Sequence, residues 1–437
     1  MAKTQTIVVG AGIAGTLIAN ELAKKYNPNT IRVIDRDPRH SLSINAKYEG
    51  TTFKGGNVRQ ISAREATAIG LIPSASKLLR TSTQKGGWLA LPNLSSREKK
   101  WRKEFDETAS NPKQLRKNQR TILEMNVMGL KGWHKIAKEW PEVFEGMDVD
   151  HDVPMFYSDS RELKSDFQEE MDYNLRPKML AEKEILRKYP SILGAMERGD
   201  IVGAYAGPSG AVHVKTLVVN MQRDLKKRGV TFTHEMPVVG ISRTNNGSVC
   251  GLITKNGKHF VADNYILSPG VPSHDLLKGS KTDGKIMAMA GIWFRLVNKV
   301  GIHKAFKTNM EHMNVTPAPD GSVYFSGMYA FVGEQTAHIN MPGLKHTFGH
   351  FWEIIAKLFP EIKKNMELER RVCVRPMTPN QVSLLERNVT TSGGSLVIAA
   401  GNGAAGFTQA PVMAQAVSDI IANKKSKART LFEICTV

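Results

Sequence analysis

The sequence predicts an α/β fold in which one nucleotide-binding layer is assembled from separated parts of the chain. Three observations indicate this. Residues 4–10 form an apolar, β-branched strand that runs through a glycine turn into a helix over 14–25. Residues 395–423 repeat the order of strand, glycine turn and helix near the C-terminus. Residues 231–268 are rich in short strands joined by Asn-Gly hairpin turns.

Length and composition limit the class of protein. A chain of 437 residues is too long for one ordinary core, so two domains or one large composite are expected. The composition is that of a soluble globular protein, and no apolar run reaches the ~18 residues that span a membrane. The N-terminus lacks the layout of a signal peptide, because glycines interrupt its apolar stretch. Three scattered cysteines are too few for a disulfide framework or a metal site, so we expect no metal and a cytoplasmic location.

The net charge is strongly positive. Sixty basic against 41 acidic residues leave +19, an excess that attracts nucleic acid, acidic lipid or negative substrates. A solvated surface is the favoured interpretation, and no nucleic-acid partner is expected because no binding motif accompanies the charge. Trp101 and Phe105, interleaved in the first basic run, make peripheral contact with the inner face of an acidic membrane the best alternative. The basic runs are residues 97–103, 113–120, 223–228 and 424–429.

The N-terminal turn, Gly10-Ala11-Gly12-Ile13-Ala14-Gly15, has the G-x-G-x-x-G spacing. The first glycine permits a tight turn, the second lets backbone approach a pyrophosphate, and the third lets the helix pack closely on the strand. N–H groups at the start of the helix, including those of Ile13 and Ala14, then face the phosphates. Asp35 ends the second strand, where its carboxylate can accept hydrogen bonds from a ribose diol. This βαβ unit therefore predicts a bound dinucleotide.

The position of Asp35 also narrows the choice of nucleotide. A carboxylate there requires a free ribose 2′-hydroxyl, which favours FAD or NAD over NADP, although Arg36 follows directly. A motif at the extreme N-terminus with a long, partly β insert downstream favours FAD, by analogy with other nucleotide-binding folds.

Three further segments carry a resemblance to a known family. They are Gly207-Pro208-Ser209-Gly210-Ala211-Val212-His213-Val214, Arg375-Pro376-Met377-Thr378-Pro379-Asn380 and Ala399-Ala400-Gly401-Asn402-Gly403-Ala404-Ala405-Gly406-Phe407. With the N-terminal turn, they resemble the D-amino-acid oxidase family of flavoproteins, which includes glycine oxidase, monomeric sarcosine oxidase and bacterial D-amino-acid dehydrogenase. The resemblance covers the N-terminal βαβ unit and residues 207–277 and 371–423.

The resemblance implies a division of the chain into two domains. One is a Rossmann-type, GR2-like FAD-binding domain, and the other is an inserted α+β substrate domain built on an antiparallel sheet. The FAD-binding domain would be discontinuous and consist of residues 1–90, 196–284 and 371–437. The substrate domain would consist of residues 91–195, which include a basic helical insert, and 285–370.

The resemblance also implies which residues hold FAD. The backbone of Val238 would hold the adenine end, Gly270 would lie close to the dinucleotide, and Gly56 and Asn57 would form a loop over the flavin ring. The closing turn would direct backbone N–H groups at the flavin pyrimidine ring and so stabilise developing negative charge. Its residues are Gly401, Gly403, Ala404, Ala405, Gly406 and Phe407.

Arg375 occupies the position of the arginine that holds the substrate carboxylate in this family. A planar, permanently charged guanidinium pairs with a carboxylate through two parallel hydrogen bonds, although a structural ion pair is the alternative interpretation. Asn380 replaces the usual acid of the signature. Tyr324, Tyr329 and Phe331 are candidates for the pocket wall, and ordinary sheet aromatics are an equally good interpretation of each.

Two other residues are open to a functional and a structural interpretation. Cys373 occupies the position from which sarcosine-oxidase-like members tether FAD through a thioether, but a buried apolar role is favoured for a strand cysteine. His213 lies on a strand among β-branched residues, which favours a packing role over that of a base.

The predicted reaction is oxidation of a small amine that carries a carboxylate, with an amino acid or N-substituted amino acid as substrate. Hydride passes to flavin, the imine hydrolyses to a 2-oxo acid, and oxygen or a quinone or other electron carrier is the acceptor. A first alternative is a 2-hydroxy-acid dehydrogenase or oxidase, which needs a base. A second is a basic flavoprotein that acts mainly by binding membrane or nucleic acid. The candidate bases are His312, His338, His346 and His350.

Overall fold

The structure is a computed structural model that describes most of the chain. The described residues are 5–39, 60–65, 75–147, 149–272, 275–318, 320–335 and 337–433. The predicted flavin loop at Gly56 and Asn57 lies outside them.

The described residues form twenty strands. In chain order they are β1 (Thr6–Val9), β2 (Ile31–Ile34), β3 (Gln60–Ser62), β4 (Asp150–His151), β5 (Pro154–Tyr157), β6 (Lys178–Met179), β7 (Gly203–Ala206), β8 (Ser209–Ala211), β9 (Thr231–Thr233), β10 (Val238–Arg243), β11 (Val249–Thr254), β12 (His259–Phe260), β13 (Asn264–Leu267), β14 (Met287–Val297), β15 (Phe306–Thr308), β16 (Asn314–Pro317), β17 (Ser322–Gly333), β18 (Glu367–Met377), β19 (Leu384–Val389) and β20 (Ser395–Ala400).

Eleven α-helices complete the described secondary structure, together with short 3-10 turns. They are α1 (Ile13–Ala23), α2 (Ala75–Arg80), α3 (Ser96–Ala109), α4 (Pro112–Glu139), α5 (Ser160–Asp172), α6 (Glu182–Lys188), α7 (Leu193–Glu197), α8 (Val214–Lys227), α9 (Pro342–Leu358), α10 (Gly406–Ile421) and α11 (Lys427–Glu433).

The first large sheet is the nucleotide-binding layer that the sequence predicts. Its strand order is β19-β20-β13-β1-β2-β9, and every neighbouring pair except β19-β20 is parallel. The strands are continuous apolar runs because helices and β-hairpins cover both faces of the sheet. Val9 pairs with Ile34 on one side and Leu267 on the other, so three parallel strands end together beside the glycine turn. The predicted βαβ unit is confirmed.

The second large sheet has the order β18-β14-β17-β16-β15-β5-β7-β6, and all its pairs except β15-β5 are antiparallel. Helix α9 covers one face through a core that includes Phe294, Phe325 and Phe351. The predicted antiparallel sheet is therefore present. Two three-stranded sheets, β10-β11-β12 and β3-β8-β4, complete the described strands.

Helix α4 packs on the nucleotide-binding layer. Asn111 caps its N-terminus by accepting a hydrogen bond from the N–H of Gln114, with Pro112 at the first helical position. Its apolar face joins the core formed by α1 and α10. Gly129 allows close contact, because a Cβ there would lie 2.0 Å from the carbonyl oxygen of Thr408. The division of the chain into two domains remains a prediction.

The first basic run forms α3, whose aromatic face is buried. Trp101 is 1% exposed and Phe105 is fully buried, and the two rings stack at a centroid distance of 5.6 Å. The indole N–H of Trp101 donates to the carbonyl oxygen of Lys285 at 3.1 Å. The interpretation of these two aromatics as membrane-contacting side chains is wrong, because both belong to the core. None of the helices described here has the length and apolar character needed to cross a bilayer.

We expect Gly129→Ala to lower the free energy of unfolding by about 1–3 kcal/mol, because the methyl group forces α4 away from α10. The matched control is Gly349→Ala in α9, where a Cβ would have no heavy atom within 4 Å and helix propensity should stabilise the protein by up to about 1 kcal/mol. Denaturant unfolding of both variants measures the difference. Equal stability of the two variants would contradict the proposed contact between the helices.

Candidate active site

The glycine turn after β1 has no room for side chains at two positions. Gly10 has a φ of +102°, and a Cβ there would lie 2.2 Å from the carbonyl oxygen of Ser268. A Cβ at Gly15 would lie 1.8 Å from the carbonyl oxygen of Gly10, so α1 packs directly on the turn. Gly12 is the N-cap of α1 and leaves the N–H groups of the first helical turn without a side-chain cap. This geometry fits a pyrophosphate at the helix N-terminus.

Asp35 connects the end of β2 to this turn. Its carboxylate accepts hydrogen bonds from the backbone N–H of Ala11 and, at 2.7 Å, from that of Asp37. Burial raises the pKa of the Asp35 carboxyl, and the two backbone donors oppose that rise. Arg36 points to solvent. An acceptor beside the turn is the arrangement that a ribose diol requires, so the described residues fit the adenosine half of FAD.

Val238 and Gly270, the other predicted contacts at this end, also lie near the strand ends. Val238 begins β10 and is buried in the same core as Ile34 and Leu267. Gly270 follows β13 with a φ of +65°, three residues after Leu267. The structure therefore brings the residues predicted for the adenosine end to one edge of the first sheet.

The closing turn of the C-terminal segment is pressed against the Arg375 segment. Met377 and Asn402 form an isolated antiparallel bridge, and a Cβ at Gly401 would lie 2.4 Å from Cγ2 of Thr378. Gly401 and Gly403 have positive φ values of 76° and 53°. A 3-10 turn, Gly403–Ala405, then leads into α10. The turn and the helix N-terminus are thereby fixed beside the strand that carries the predicted carboxylate anchor.

Helix α4 holds the start of α10 from the other side. The indole N–H of Trp133 donates to the carbonyl oxygen of Phe407 at 3.0 Å, and the two rings lie 4.8 Å apart. A chain of buried amides continues this contact: Gln409 donates to Asn126, whose amide donates to the carbonyl oxygens of Ala63 and Glu65. The predicted flavin-facing turn is thus a rigid element.

Arg375 lies on β18 and is 7% exposed. Its guanidinium occupies the space that a side chain at Gly291, on the neighbouring strand, would fill. A Cβ at Gly291 would lie 2.4 Å from Nη2 of Arg375. The glycine is therefore a requirement of the site, because any other residue would displace the guanidinium.

A β-bulge completes the surroundings of Arg375. Ala290 pairs with Ala330 and Ile292 with Gly327, so two residues of β17 lie opposite the single Gly291. The bulged residue Met328 has a φ of +63°. Its carbonyl oxygen accepts a hydrogen bond from Nη1 of Arg375 at 2.8 Å, and the ring centroid of the next residue, Tyr329, lies 4.6 Å from Cζ. Bulges next to active sites commonly re-aim a side chain in this way.

No described acid neutralises the charge of Arg375. Within the described part of the chain its polar and ring contacts are the Met328 carbonyl and the Tyr329 ring, and no carboxylate pairs with it. A buried cation without an anion is costly, and an incoming carboxylate would offset that cost. Among the described residues, Arg375 therefore has no partner for the structural ion pair that is the alternative interpretation.

Arg375 opens into a cavity of about 1170 Å³. Met328, Tyr329 and His312 line it near the guanidinium, and Ala404 of the closing turn lines it as well. Burial raises the pKa of Tyr329. Burial, with the charge of Arg375, lowers the pKa of His312 to about 4, so its imidazole is neutral above pH 5. The His312 and Tyr329 rings lie 5.9 Å apart.

Of the three aromatic residues predicted for the pocket wall, only one is among the described residues that line the cavity. Tyr329 lines the cavity, whereas the Tyr324 ring lies 5.4 Å from that of Trp293 and Phe331 stacks on Trp101. Neither Tyr324 nor Phe331 is among the described lining residues, which corrects their assignment to the pocket wall. Tyr329 and Phe331 are two residues apart on β17 and belong to one core cluster, but of the two only Tyr329 is among the described residues that line the cavity.

Three of the four histidines considered as candidate bases line the cavity. His312, His346 and His350 line the cavity, whereas His338 is exposed elsewhere. His213 has the structural role that the sequence favours: its Nδ1 caps α8 by accepting a hydrogen bond from the N–H of Thr216. The sequence does not distinguish His312 from the other candidate histidines, because the residues that surround it in the fold come from distant strands.

The site combines a turn that fits a dinucleotide, a closing glycine turn whose Ala404 lines the cavity, and a buried arginine at the cavity wall. Together they indicate a flavin-dependent oxidoreductase. Comparison with known proteins makes the class specific. The chain belongs to the FAD dependent oxidoreductase (DAO) family, which it matches over residues 5–420. A search of curated proteins gives no match.

Solved structures share the fold at low sequence identity. Glycine oxidase from Bacillus cereus has a TM-score of 0.64 and 14% identity, covering 97% of this chain and 96% of its own. L-amino acid deaminase from Proteus vulgaris has a TM-score of 0.61 and 13% identity, covering 98% and 92%. L-α-glycerophosphate oxidase from Mycoplasma pneumoniae, solved with FAD bound, has a TM-score of 0.64 and 15% identity, covering 97% and 96%.

We expect the flavin to be released from this protein without a covalent tether. Cys373 is 1% exposed and is not among the described residues that line the cavity. Acid precipitation should leave the yellow cofactor in the supernatant and a polypeptide of unshifted mass. A mass increase equal to that of FAD, lost in Cys373→Ser, would establish the tether instead.

Proposed function

We propose that the protein catalyses FAD-dependent oxidation of the C–N bond of an amino acid or N-substituted amino acid. The observation that carries the proposal is the buried guanidinium of Arg375, which no acidic side chain of the described residues neutralises and which faces a large cavity. A ligand carboxylate supplies the missing anion. The same cavity is lined by Ala404 of the glycine turn, so substrate and cofactor would meet there.

The described residues fit both ends of FAD along one edge of the first sheet, because the turns at Gly10 and Gly401 both follow the carboxyl ends of parallel strands. The turn at Gly10 and the carboxylate of Asp35 would hold the adenosine and pyrophosphate, and the closing turn at Gly401 would face the flavin. When bound, FAD accepts the hydride that leaves the substrate carbon.

The side chains of the protein mainly orient the substrate. Arg375 would hold the carboxylate through two parallel hydrogen bonds, while the Met328 carbonyl and the Tyr329 ring fix the plane of the guanidinium. Neutral His312 and buried Tyr329 place no further charge on the nearby cavity wall, so they favour a substrate amine in its neutral, reactive form. The imine product hydrolyses in water to a 2-oxo acid.

The related structures support this choice of substrate class. The glycine oxidase and the L-amino acid deaminase act, by their names, on amino acids, and both cover almost the whole of this chain. Iminodiacetate oxidase from Chelativorans, with a TM-score of 0.62 and 13% identity over 97% of this chain, extends the class to a secondary amine.

A second candidate is oxidation of a 2-hydroxy acid or a related alcohol. It is favoured by one observation, the position of His312 on the cavity wall near Arg375, where a neutral imidazole could accept the hydroxyl proton. The likeness to L-α-glycerophosphate oxidase shows that this fold also accommodates oxidation of an alcohol.

The electron acceptor would be oxygen or a quinone or other carrier. The exposed basic residues of α3 and α4 could bring a carrier-linked enzyme to an acidic surface by charge alone, without inserting an aromatic side chain.

The anaerobic holoenzyme, mixed with amino acids, secondary amines and 2-hydroxy acids in turn, tests the proposed reaction. We expect flavin absorbance to bleach with amines and not with hydroxy acids. In Arg375→Leu the KM for the amine should rise about 30-fold or more, because breaking a buried charge pair costs ~2–5 kcal/mol and 1.4 kcal/mol is a factor of ten. Admission of air then distinguishes oxygen from other acceptors.

The matched control is Arg371→Leu, which removes an exposed arginine of the same strand whose partner is Glu369 at 2.6 Å. It should leave KM unchanged. An unchanged KM in Arg375→Leu, with flavin still bound, would refute the carboxylate anchor. Bleaching by hydroxy acids alone would replace the proposal with the second candidate.

A further inference from the structure

A second group of charged side chains lines the cavity away from the bulge. It comes from the segment after β3, from β5, α5 and β7, and from β15. Most of its members are paired. Arg64 contacts Asp166 at 3.2 Å and Glu169 at 2.8 Å, and the hydroxyl of Tyr157 donates to Asp166 at 2.8 Å. Lys307 likewise contacts Glu65 at 2.5 Å, so these charges compensate one another.

Glu170 is the exception. It is 5% exposed, and its Oε1 accepts a hydrogen bond from the hydroxyl of Tyr205 at 2.9 Å. Its Oε2 is buried and has no hydrogen-bond partner among the described residues. A buried carboxylate oxygen without a donor is costly, and native structures rarely leave one so. A residue of the cavity wall therefore carries an acceptor without a donor.

Gly207 makes room for this oxygen. A Cβ at Gly207 would lie 2.3 Å from Oε2, so the glycine lets the carboxylate lie against the backbone at 207. Gly207, Glu170 and Tyr205 all line the cavity. The residue that carries the unpartnered oxygen therefore lines the same cavity as Arg375.

The charge of this group favours a cation. Among the members that line the cavity, three acids, Glu65, Asp166 and Glu170, accompany two bases, Arg64 and Lys307, although the chain as a whole carries +19. Burial raises the pKa of Glu170; Asp166 acts in the same direction, and Arg64 and Lys307 act against it. An ammonium or guanidinium beside Oε2 would supply both the missing donor and the missing charge.

The two ends of the cavity are joined through His312. Its imidazole is within electrostatic reach of Arg375 and also of Glu65, Asp166 and Lys307. A ligand whose carboxylate pairs with Arg375 would pass His312 to reach the second group. The cavity volume of about 1170 Å³ has room for such a ligand beside a flavin.

We infer that Glu170, held on the cavity wall by Tyr205 and accommodated by Gly207, is a subsite for a cationic group on the substrate. The substrates are then amino acids with a basic side chain, such as an ω-amino or guanidino group. This assignment rests on the proposed function, since it takes the carboxylate of the same molecule to be bound by Arg375.

Binding to the holoenzyme tests the subsite without catalysis. The probes are hexanoate and 6-aminohexanoate, which share a carboxylate, lack an α-amino group and so cannot be oxidised by the proposed reaction. Titration is followed by the perturbation of flavin absorbance near pH 8. We expect 6-aminohexanoate to bind about tenfold or more tightly than hexanoate, as one desolvated charge pair provides. Equal Kd values for the two compounds in the wild-type protein overturn the subsite.

Variants then locate the effect. Glu170→Gln preserves the shape and removes the charge, and the affinity ratio of the two probes should fall to about one. The matched control is Glu162→Gln, an exposed acid on the same cavity wall, which should keep the wild-type ratio because water screens its charge. A ratio that persists in Glu170→Gln, or is lost in the control, contradicts the assignment to Glu170.

Rates of turnover with different amino acids test this inference and the proposed function independently. We expect kcat/KM for lysine or arginine to exceed that for norleucine by about tenfold or more. Oxidation of norleucine and lysine at equal rates overturns the subsite and leaves amino-acid oxidation standing. Failure of every amine to reduce the flavin, while 6-aminohexanoate still binds more tightly than hexanoate, overturns the reaction and supports the subsite.

Discussion

The guanidinium of Arg375 is buried only because two neighbouring strands leave room for it and partner it without neutralising it. Gly291 lacks the side chain that would occupy its place. Opposite that glycine, the bulge in β17 turns the carbonyl of Met328 towards Nη1 and lays the ring of Tyr329 over Cζ. Both partners are neutral, so the positive charge remains for a ligand. The chemistry that we propose depends on this local departure from regular β structure.

The same strand joins the two sheets. β18 ends at Met377, which bridges to Asn402, and the closing turn at Gly401 packs on Thr378. The proposed carboxylate anchor and the proposed flavin-facing turn are therefore joined by a backbone bridge and by packing on the Thr378 side chain. Helix α4 stabilises the arrangement from behind through Trp133, so the site lies between two rigid cores.

The nucleotide-binding half could be predicted from sequence because its signals are local. The glycine turn is identified by its spacing together with the strand and helix on either side of it. The signature that begins at Arg375 is likewise a contiguous stretch of sequence. Three features could not be predicted: the space at Gly291, the bulge in β17 and the unpartnered oxygen of Glu170. Each depends on segments that meet only in the folded chain. The misassigned aromatics of α3 had a usable signal: Trp101 and Phe105 are four residues apart, the spacing of a buried helix face, but the surrounding charges obscured it.

The central claim is that the absence of a side chain at position 291 allows Arg375 to bind a carboxylate. Titration of hexanoate into the Gly291→Ala holoenzyme tests this claim most directly. The added methyl group displaces the guanidinium, so Kd should rise about tenfold or more while flavin stays bound. The control is Gly240→Ala on β10, outside the described cavity lining, where a Cβ would have no heavy atom within 4 Å, and it should leave Kd unchanged. A Gly291→Ala protein that binds hexanoate as tightly as the wild type would contradict the account.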